Sequence, residues 1–196
     1  MKARPEPSET TDRGSAAVGP WIRHERRIAY RNDWITVYHD DVTRPGGSPG
    51  IYGVVHFANT AVGVVAIDAE DRVVLVGQHR YPLDAMSWEI PEGGSPLDEN
   101  PLEGAQRELR EETGLKAGTW RQLGRYHLSN SISDEEAYLY LATDLAPGPS
   151  APDATEELAL RWVGFDEALR MSESGEINDA MSVIGLQRVA LQRSAR

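Results

Sequence analysis

Between Arg107 and Gly114 the chain reads RELREETG. Glu108 lies three and four residues before Glu111 and Glu112, the spacing at which helical side chains become neighbours and like charges repel. Carboxylates crowded in this way make either a solvated acidic face or one wall of a cation site. The chain has no cysteine, and no histidine lies near the cluster. Oxygen ligands alone suit a hard ion, Mg2+ or Mn2+, rather than zinc.

The helix that must carry them has clear ends. Asn100 is a good N-cap, Pro101 suits the first helical position and Glu103 stands where a capping box wants an acid. Gly114 supplies the left-handed residue that stops it, so the helix is expected over 101–113. At about 100° per residue, Leu102, Ala105 and Leu109 fall within about 60° and face the core. Glu108, Glu111 and Glu112 occupy an adjoining arc of about 100°, with Gly104 inside it one turn earlier. Glu103, Gln106, Arg107 and Arg110 point elsewhere, toward solvent or other segments. A glycine inside a helix costs about 1 kcal/mol relative to alanine. Here Gly104 is expected to clear bulk from the carboxylate face.

Around this helix the pattern is mostly strand. Residues 1–20 are rich in Pro, Ser, Thr, Gly and charge and are expected to be a disordered leader. Aromatic and β-branched runs at 25–30, 34–40 and 51–58, with RPGGSPG between the last two, predict a small antiparallel sheet over 21–58. AVGVVAID at 61–68 and RVVLVGQHRY at 72–81 are near-continuous apolar runs across a tight acidic turn and read as a buried hairpin. Further strands are expected at 119–128, 137–145 and 159–165, a loop at 146–157, and helices at 166–174 and 180–192. Strands dominate and helices are interspersed irregularly, so the fold class is α+β rather than a doubly wound sheet. The main domain is expected over 59–196.

Composition narrows the function. The 196 residues are 40% hydrophobic and 26% charged, ordinary for a globular chain. A net charge of −11 argues against nucleic acid or an anionic membrane as partner. No run approaches the eighteen or so apolar residues of a membrane helix, and the N-terminus lacks the apolar stretch of a secretory signal. A cytoplasmic protein is expected. The five histidines, at 24, 39, 56, 79 and 127, have no metal-site spacing. No G-x-S-x-G or Walker-type loop is present.

A bare E-x-x-E-E cluster would read as surface. Its flanks decide otherwise. Gly93 is followed at fixed intervals by Glu99, Arg107-Glu108-Leu109, Glu111-Glu112, Gly114 and Leu115, giving G-x5-E-x7-R-E-U-x-E-E-x-G-U with U aliphatic. A chance match in such a chain is on the order of one in ten million. The string at 93–115 resembles the signature of the Nudix hydrolases, and with SWEIPEGG before it and the terminal helix it resembles their α/β/α sandwich over about 59–193. That resemblance implies divalent-metal-dependent hydrolysis of a nucleoside diphosphate linked to a further moiety. It implies Glu108 and Glu112 as Mg2+ ligands, Glu111 ligating or holding water at the metal, and the Glu92 carbonyl completing the shell. Gly93, Glu99, Gly104, Arg107 and Gly114 would support the site.

The sheet at 21–58 together with GQHRYP and SWEIPEGG is most similar to the ADP-ribose and nucleotide-sugar pyrophosphatase branch. There the N-terminal sheet helps to build a homodimer. By that resemblance Arg80 clamps a phosphate, Glu89 lies close to substrate and Trp34 stacks on base or sugar. An ordinary ion pair for Arg80, and core or interface packing for Trp34, are the competing readings. In SDEE at 133–136, Glu135 aligns best with a loop glutamate acting as catalytic base, with Glu136 and Asp134 as fallbacks and a solvated turn as the alternative; a glutamate of the signature, Glu111 or Glu112, is the other candidate for the catalytic role. Many relatives carry a proline in this stretch. Leu128-Ser129-Asn130-Ser131 has none, which sets a nucleoside diphosphate sugar beside ADP-ribose as substrate. Dinucleoside polyphosphates, coenzyme A and nucleoside triphosphates are alternatives of the same class. A ligand sensor without catalysis is an alternative of another class, disfavoured by the intact signature.

Overall fold

The computed structural model describes residues 14–148 and 158–195. It divides into two units, 1–59 with 127–135, and 60–126 with 136–196. In the first unit, β1 (Ala16–Val18), β2 (Trp21–Arg31), β3 (Ile35–Thr43) and β4 (Pro49–Phe57) form an antiparallel sheet in sequential order. Along β3, Thr36, Tyr38, Asp40 and Val42 are buried and alternate with half-buried residues, as period-two side-chain direction requires. The buried Asp40 carboxylate is held by Arg26 through two hydrogen bonds of 2.7 Å. The predicted sheet is present with longer strands. The expected leader ends earlier than residue 20, because Ala16–Val18 pairs with Trp21–Arg23. Residues 1–13 lie outside the described residues, as does most of the loop expected at 146–157.

The second unit contains β5 (Asn59–Ala66), β6 (Arg72–Arg80), a 3-10 turn at Tyr81–Leu83, β7 (Ala85–Glu89), β8 (Glu92–Pro96), α1 (Pro101–Thr113) and β9 (Leu115–His127). After these come β10 (Glu136–Pro147), β11 (Ala159–Gly164), α2 (Phe165–Ser174) and α3 (Ala180–Ser194). One sheet has the order β8-β5-β10-β9 and the other β11-β6-β7. The expected hairpin of 61–68 and 72–81 is corrected: the runs meet at the turn, through the bridge Ile67↔Val73 and Asp68 N–H to Arg72 O at 3.0 Å, and β5 and β6 then enter different sheets. Both runs are apolar on both faces, so either can be an interior strand. β5 takes its place by pairing in parallel with β10, from Ala61↔Ala137 to Ala66↔Ala142.

Alternation along these two strands assigns the layers. Val62, Val64 and Ala66, with Tyr140 and Ala142, pack on Ala105 and Leu109 of α1. Val65 and Leu139 face the other way, against Gly185 of α3. Helices therefore cover both faces of the central strands. Burying Leu109 and Leu139 completely contributes roughly 1.5–3 kcal/mol each. The expectation of an α+β fold with an α/β/α sandwich and a small N-terminal sheet is met. Strands β7 and β8 were not foreseen, because WEIPEGG shows no alternation.

Candidate active site

Helix α1 begins and ends at the predicted residues. The Asn100 side chain accepts from Leu102 N–H at 3.0 Å, and Gly114 has φ +69° while its N–H reaches Arg110 O at 2.9 Å. With Ala105 and Leu109 held in the core, the adjoining face carries Glu108, Glu111 and Glu112 into a cavity of about 250 Å³. Glu92, Gly93, Gly94, Arg80, Gln78, Arg107 and Leu158 complete its wall. The signature residues therefore converge on one place in this unit.

Arg107 holds the cluster together. Its guanidinium donates to Glu108 Oε1 at 2.7 Å, Glu111 Oε2 at 2.9 Å and the Gly94 carbonyl at 2.6 Å, and lies 3.5 Å from Glu99 Oε2. Burial opposes its charge, but the charges and hydrogen bonds of Glu108 and Glu111 raise its pKa above the ordinary value. The helical-wheel expectation that Arg107 points away from the carboxylates is corrected: its long side chain curls back to Glu108 and Glu111 and lines the same cavity. Glu112 is tied to β8, its Oε2 accepting from Glu92 N–H at 3.0 Å.

The two glycines act through close approach. A Cβ on Gly93 would collide with the Glu108 carboxylate, so any larger residue would displace that side chain from its place over β8. For Gly104 the sequence reading is corrected. Its face is not cleared for ions: a Cβ there would stand 2.6 Å from Ser95 Cβ and 3.0 Å from Glu99 Oε2. Gly104 instead admits the Ser95–Glu99 pair, in which Ser95 Oγ donates to Glu99 at 2.9 Å. It supports the site by letting β8 pack against α1.

Arg80 pairs with carboxylates. It donates to both oxygens of buried Glu89, with Nε at 2.9 and 3.1 Å, and to Glu92 Oε1 at 3.2 Å. The hydrogen bond from Glu89 comes first among the causes that raise its pKa. The ion-pair reading of Arg80 thus describes the structure, and Glu89 is its partner. Burial, followed by the negative charges of Asp179 and Glu89, pushes the Glu92 carboxyl well above the usual carboxylate range, with Arg80 opposing. Asp179 was missed in the sequence. It is the N-cap of α3, accepting from Ser182 N–H at 2.7 Å, and an N-cap pattern signals a structural role only.

The remaining candidates belong to the first unit. Trp34 sits in the β2–β3 turn with 68% of its surface exposed, which excludes core packing. Glu135 precedes β10 in the segment 127–135. Both fallbacks are engaged elsewhere: Asp134 Oδ2 with His56 Nδ1 at 2.6 Å, and Glu136 with Arg125.

Among the described residues no three His, Cys, Asp or Glu side chains converge closely enough to hold an ion as they stand. Arg107 serves as the cation between Glu108 and Glu111. The chemistry of the donors nevertheless fits a divalent ion. Glu92, Glu108, Glu111 and Glu112 line the cavity with Arg80 and Arg107. Four carboxylates against two guanidinium groups leave two negative charges when all are ionised. Every donor is a hard oxygen, as Mg2+ and Mn2+ require.

The state of Glu92 has a consequence for stability. An acid whose pKa is raised on folding holds its proton more tightly in the native state. Its contribution is full below the unfolded value and is lost as pH rises toward the folded one. Glu92→Gln has no proton to lose. In EDTA, the stability of this variant relative to the parent, measured by urea unfolding, is expected to rise between about pH 5 and about pH 8. An equal difference at both pH values would contradict the raised pKa.

Comparison with known proteins agrees with this geometry. Residues 58–181 match the NUDIX domain, and residues 21–55 match the nucleoside diphosphate sugar hydrolase N-terminal domain. A CMP-5'-(N-acetyl-N-hydroxy-3-aminopropyl)phosphonate hydrolase of Streptomyces rubellomurinus is 32% identical over 171 residues, covering 86% of this chain and 82% of that protein. An ADP-ribose pyrophosphatase of Mycobacterium tuberculosis is 36% identical over 154 residues, covering 76% and 73%. The crystal structure of an ADP compounds hydrolase has the same fold, with a TM-score of 0.82 at 21% identity over 92% of this chain and 98% of that one. A signature complete from Gly93 to Leu115, on a domain match that spans more than half of the chain, makes this protein a member of the Nudix hydrolase family.

Proposed function

We propose that this hydrolase cleaves the diphosphate of ADP-ribose or a nucleoside diphosphate sugar, releasing a nucleoside monophosphate and a sugar phosphate, in the cytoplasm and with Mg2+. The observation that carries the proposal is the convergence of Glu108, Glu111, Glu112 and Glu92 on one cavity with two arginines. The match of residues 21–55 to an NDP-sugar hydrolase N-terminal domain favours the substrate class. So does the activity named for the mycobacterial relative.

In this reading the carboxylates of Glu108, Glu111 and Glu112 and the carbonyl of Glu92 hold the ion, with Mn2+ as a possible substitute. The ion would neutralise diphosphate charge and help to activate water near neutral pH. Arg107 keeps Glu108 and Glu111 aimed together. Arg80 is paired with Glu89 and Glu92, and reaching a phosphate would require it to exchange a carboxylate partner for a phosphate oxygen. A carboxylate oxygen of Glu135 takes the proton of the attacking water, and Trp34 offers an exposed indole for stacking on base or sugar. A homodimer through the N-terminal sheet is part of the proposal, supported by the exposed Val18, Ile22, Tyr30 and Ile51.

The name of the Streptomyces relative favours a second substrate reading, a cytidine monophosphate joined to a phosphonate. Both readings share a nucleoside monophosphate leaving from a second phosphorus acid. Specificity constants for ADP-ribose, several NDP-sugars, a CMP-phosphonate, diadenosine polyphosphates, coenzyme A and nucleoside triphosphates would separate them. ADP-ribose or an NDP-sugar is expected to lead by at least about tenfold, or about 1.4 kcal/mol in transition-state stabilisation. A lead by any other compound would refute the assignment. Glu112→Gln is expected to lower Mg2+-dependent kcat/KM at least about a hundredfold with an unchanged circular dichroism spectrum; full activity would remove Glu112 from the ligand set. Light scattering is expected to give twice the chain mass, and a monomer would refute the dimer.

A further inference from the structure

Segment 127–135 carries the proposed base, and within its unit it is fastened to strand β4. Four hydrogen bonds join the two. Val55 N–H donates to Ile132 O at 2.8 Å, Asp134 N–H to Val55 O at 3.2 Å, Phe57 N–H to Asp134 Oδ1 at 3.2 Å and Tyr52 Oη–H to Ser131 O at 2.6 Å. Val55 and Ser133 form a parallel bridge. A fifth contact is of a different kind. His56 Nδ1 lies 2.6 Å from Asp134 Oδ2, with only 5% of His56 exposed. An ionised carboxylate can only accept, so the ring donates from Nδ1. The segment also closes on itself, through Leu128 N–H to Glu135 O at 3.1 Å and Ser133 Oγ–H to Leu128 O at 2.7 Å.

We infer that His56 and Asp134 form a latch that makes the N-terminal sheet the platform of the base, with His56 a positioning residue for turnover through Glu135. This rests on the reading of Glu135 as the base. The argument is one of leverage. Asp134 is the residue next to Glu135, and its carboxylate is gripped at both oxygens, by the His56 ring and by Phe57 N–H. Fixing the backbone there fixes where the Glu135 Cα stands and in which direction its side chain leaves the chain. Ser129, at φ +49°, holds a left-handed conformation that a non-glycine residue adopts only when its surroundings require it. A hydrogen bond of 2.6 Å from a buried ring to a carboxylate is a directional restraint. Within the acidic run SDEE, Asp134 thus anchors to His56 while Glu136 pairs with Arg125.

The test is a kinetic cycle on the full chain at saturating Mg2+, using the leading substrate of the screen. His56→Ala is expected to lower kcat about ten- to a hundredfold with KM within about twofold, because a misplaced base harms the chemical step and not binding. His56→Asn keeps an N–H donor near the Nδ1 position and is expected to restore most of kcat. Adding His56→Ala to Glu135→Gln is expected to cost nothing further, since the residue positioned is already disabled. Tyr52→Phe removes one anchoring hydrogen bond without removing the ring, and is expected to lower kcat about two- to fivefold; it decides the matter if His56→Ala does not fold. Parent kcat in both His56→Ala and Tyr52→Phe, alongside an inactive Glu135→Gln, would overturn the latch alone. So would a full multiplicative loss in the double variant. Parent activity in Glu135→Gln would overturn the reading of the base and the latch with it.

Discussion

Repulsion among Glu108, Glu111 and Glu112 is the constraint around which this domain is built. Two unit charges 4 Å apart interact by about 4 kcal/mol at the effective dielectric of a protein surface. The last turn of a helix adds to the difficulty, since its carbonyl end disfavours anions by about 0.3–1 kcal/mol each. Glu111 and Glu112 lie in that turn of α1. Arg107 offsets part of the repulsion by spanning Glu108, Glu111 and the Gly94 carbonyl. Arg80 does the same for Glu89 and Glu92. The negative charge left over is what a divalent ion in the proposed site would neutralise.

Everything near the cluster serves to keep that arrangement from relaxing. Ala105 and Leu109 lock the adjoining side of α1 against β5 and β10, so the helix cannot rotate to disperse its carboxylates. Ser95 pressed against Gly104, and Gly93 beneath Glu108, bring β8 so close that the Glu92 N–H caps the Glu112 carboxylate. The N-terminal sheet has its own polar pairs, Arg26 with the buried Asp40 carboxylate and the buried His56 ring with the partly exposed Asp134. Both units thus spend polar contacts on orientation, and breaking one partner of such a pair costs far more than the pair contributes.

Legibility followed the range of the interactions. The limits of α1 were readable because Asn100, Pro101 and Gly114 act on backbone within a turn of themselves. The acidic cavity was readable because Glu92, Glu108, Glu111 and Glu112, which line it, belong to one periodic helix and the short stretch that leads into it. Reading failed where the partner lies far away in the chain. The runs at 61–68 and 72–81 carry no mark of which strand they will pair with, so a hairpin was expected where two sheets diverge. Gly104 could be recognised as costly, but Ser95 as the reason depends on how β8 crosses the helix. Arg80 could be chosen as a functional cation, while its partners depend on where β7 brings Glu89 and β8 brings Glu92. Asp179 reaches the site only through the placement of α3.

The claim that this repulsion is stored affinity can be measured without a substrate. Thermal unfolding of the full chain should be followed in EDTA and across increasing Mg2+, with Ca2+-free buffers and a matched ionic strength. Binding to the native state alone stabilises by RT ln(1 + [L]/Kd), about 2.7 kcal/mol at a hundredfold excess over Kd. The account predicts a saturable rise in Tm for the parent chain and a much smaller one for Glu112→Gln. A Tm that ignores Mg2+, or rises equally in both proteins, would contradict it.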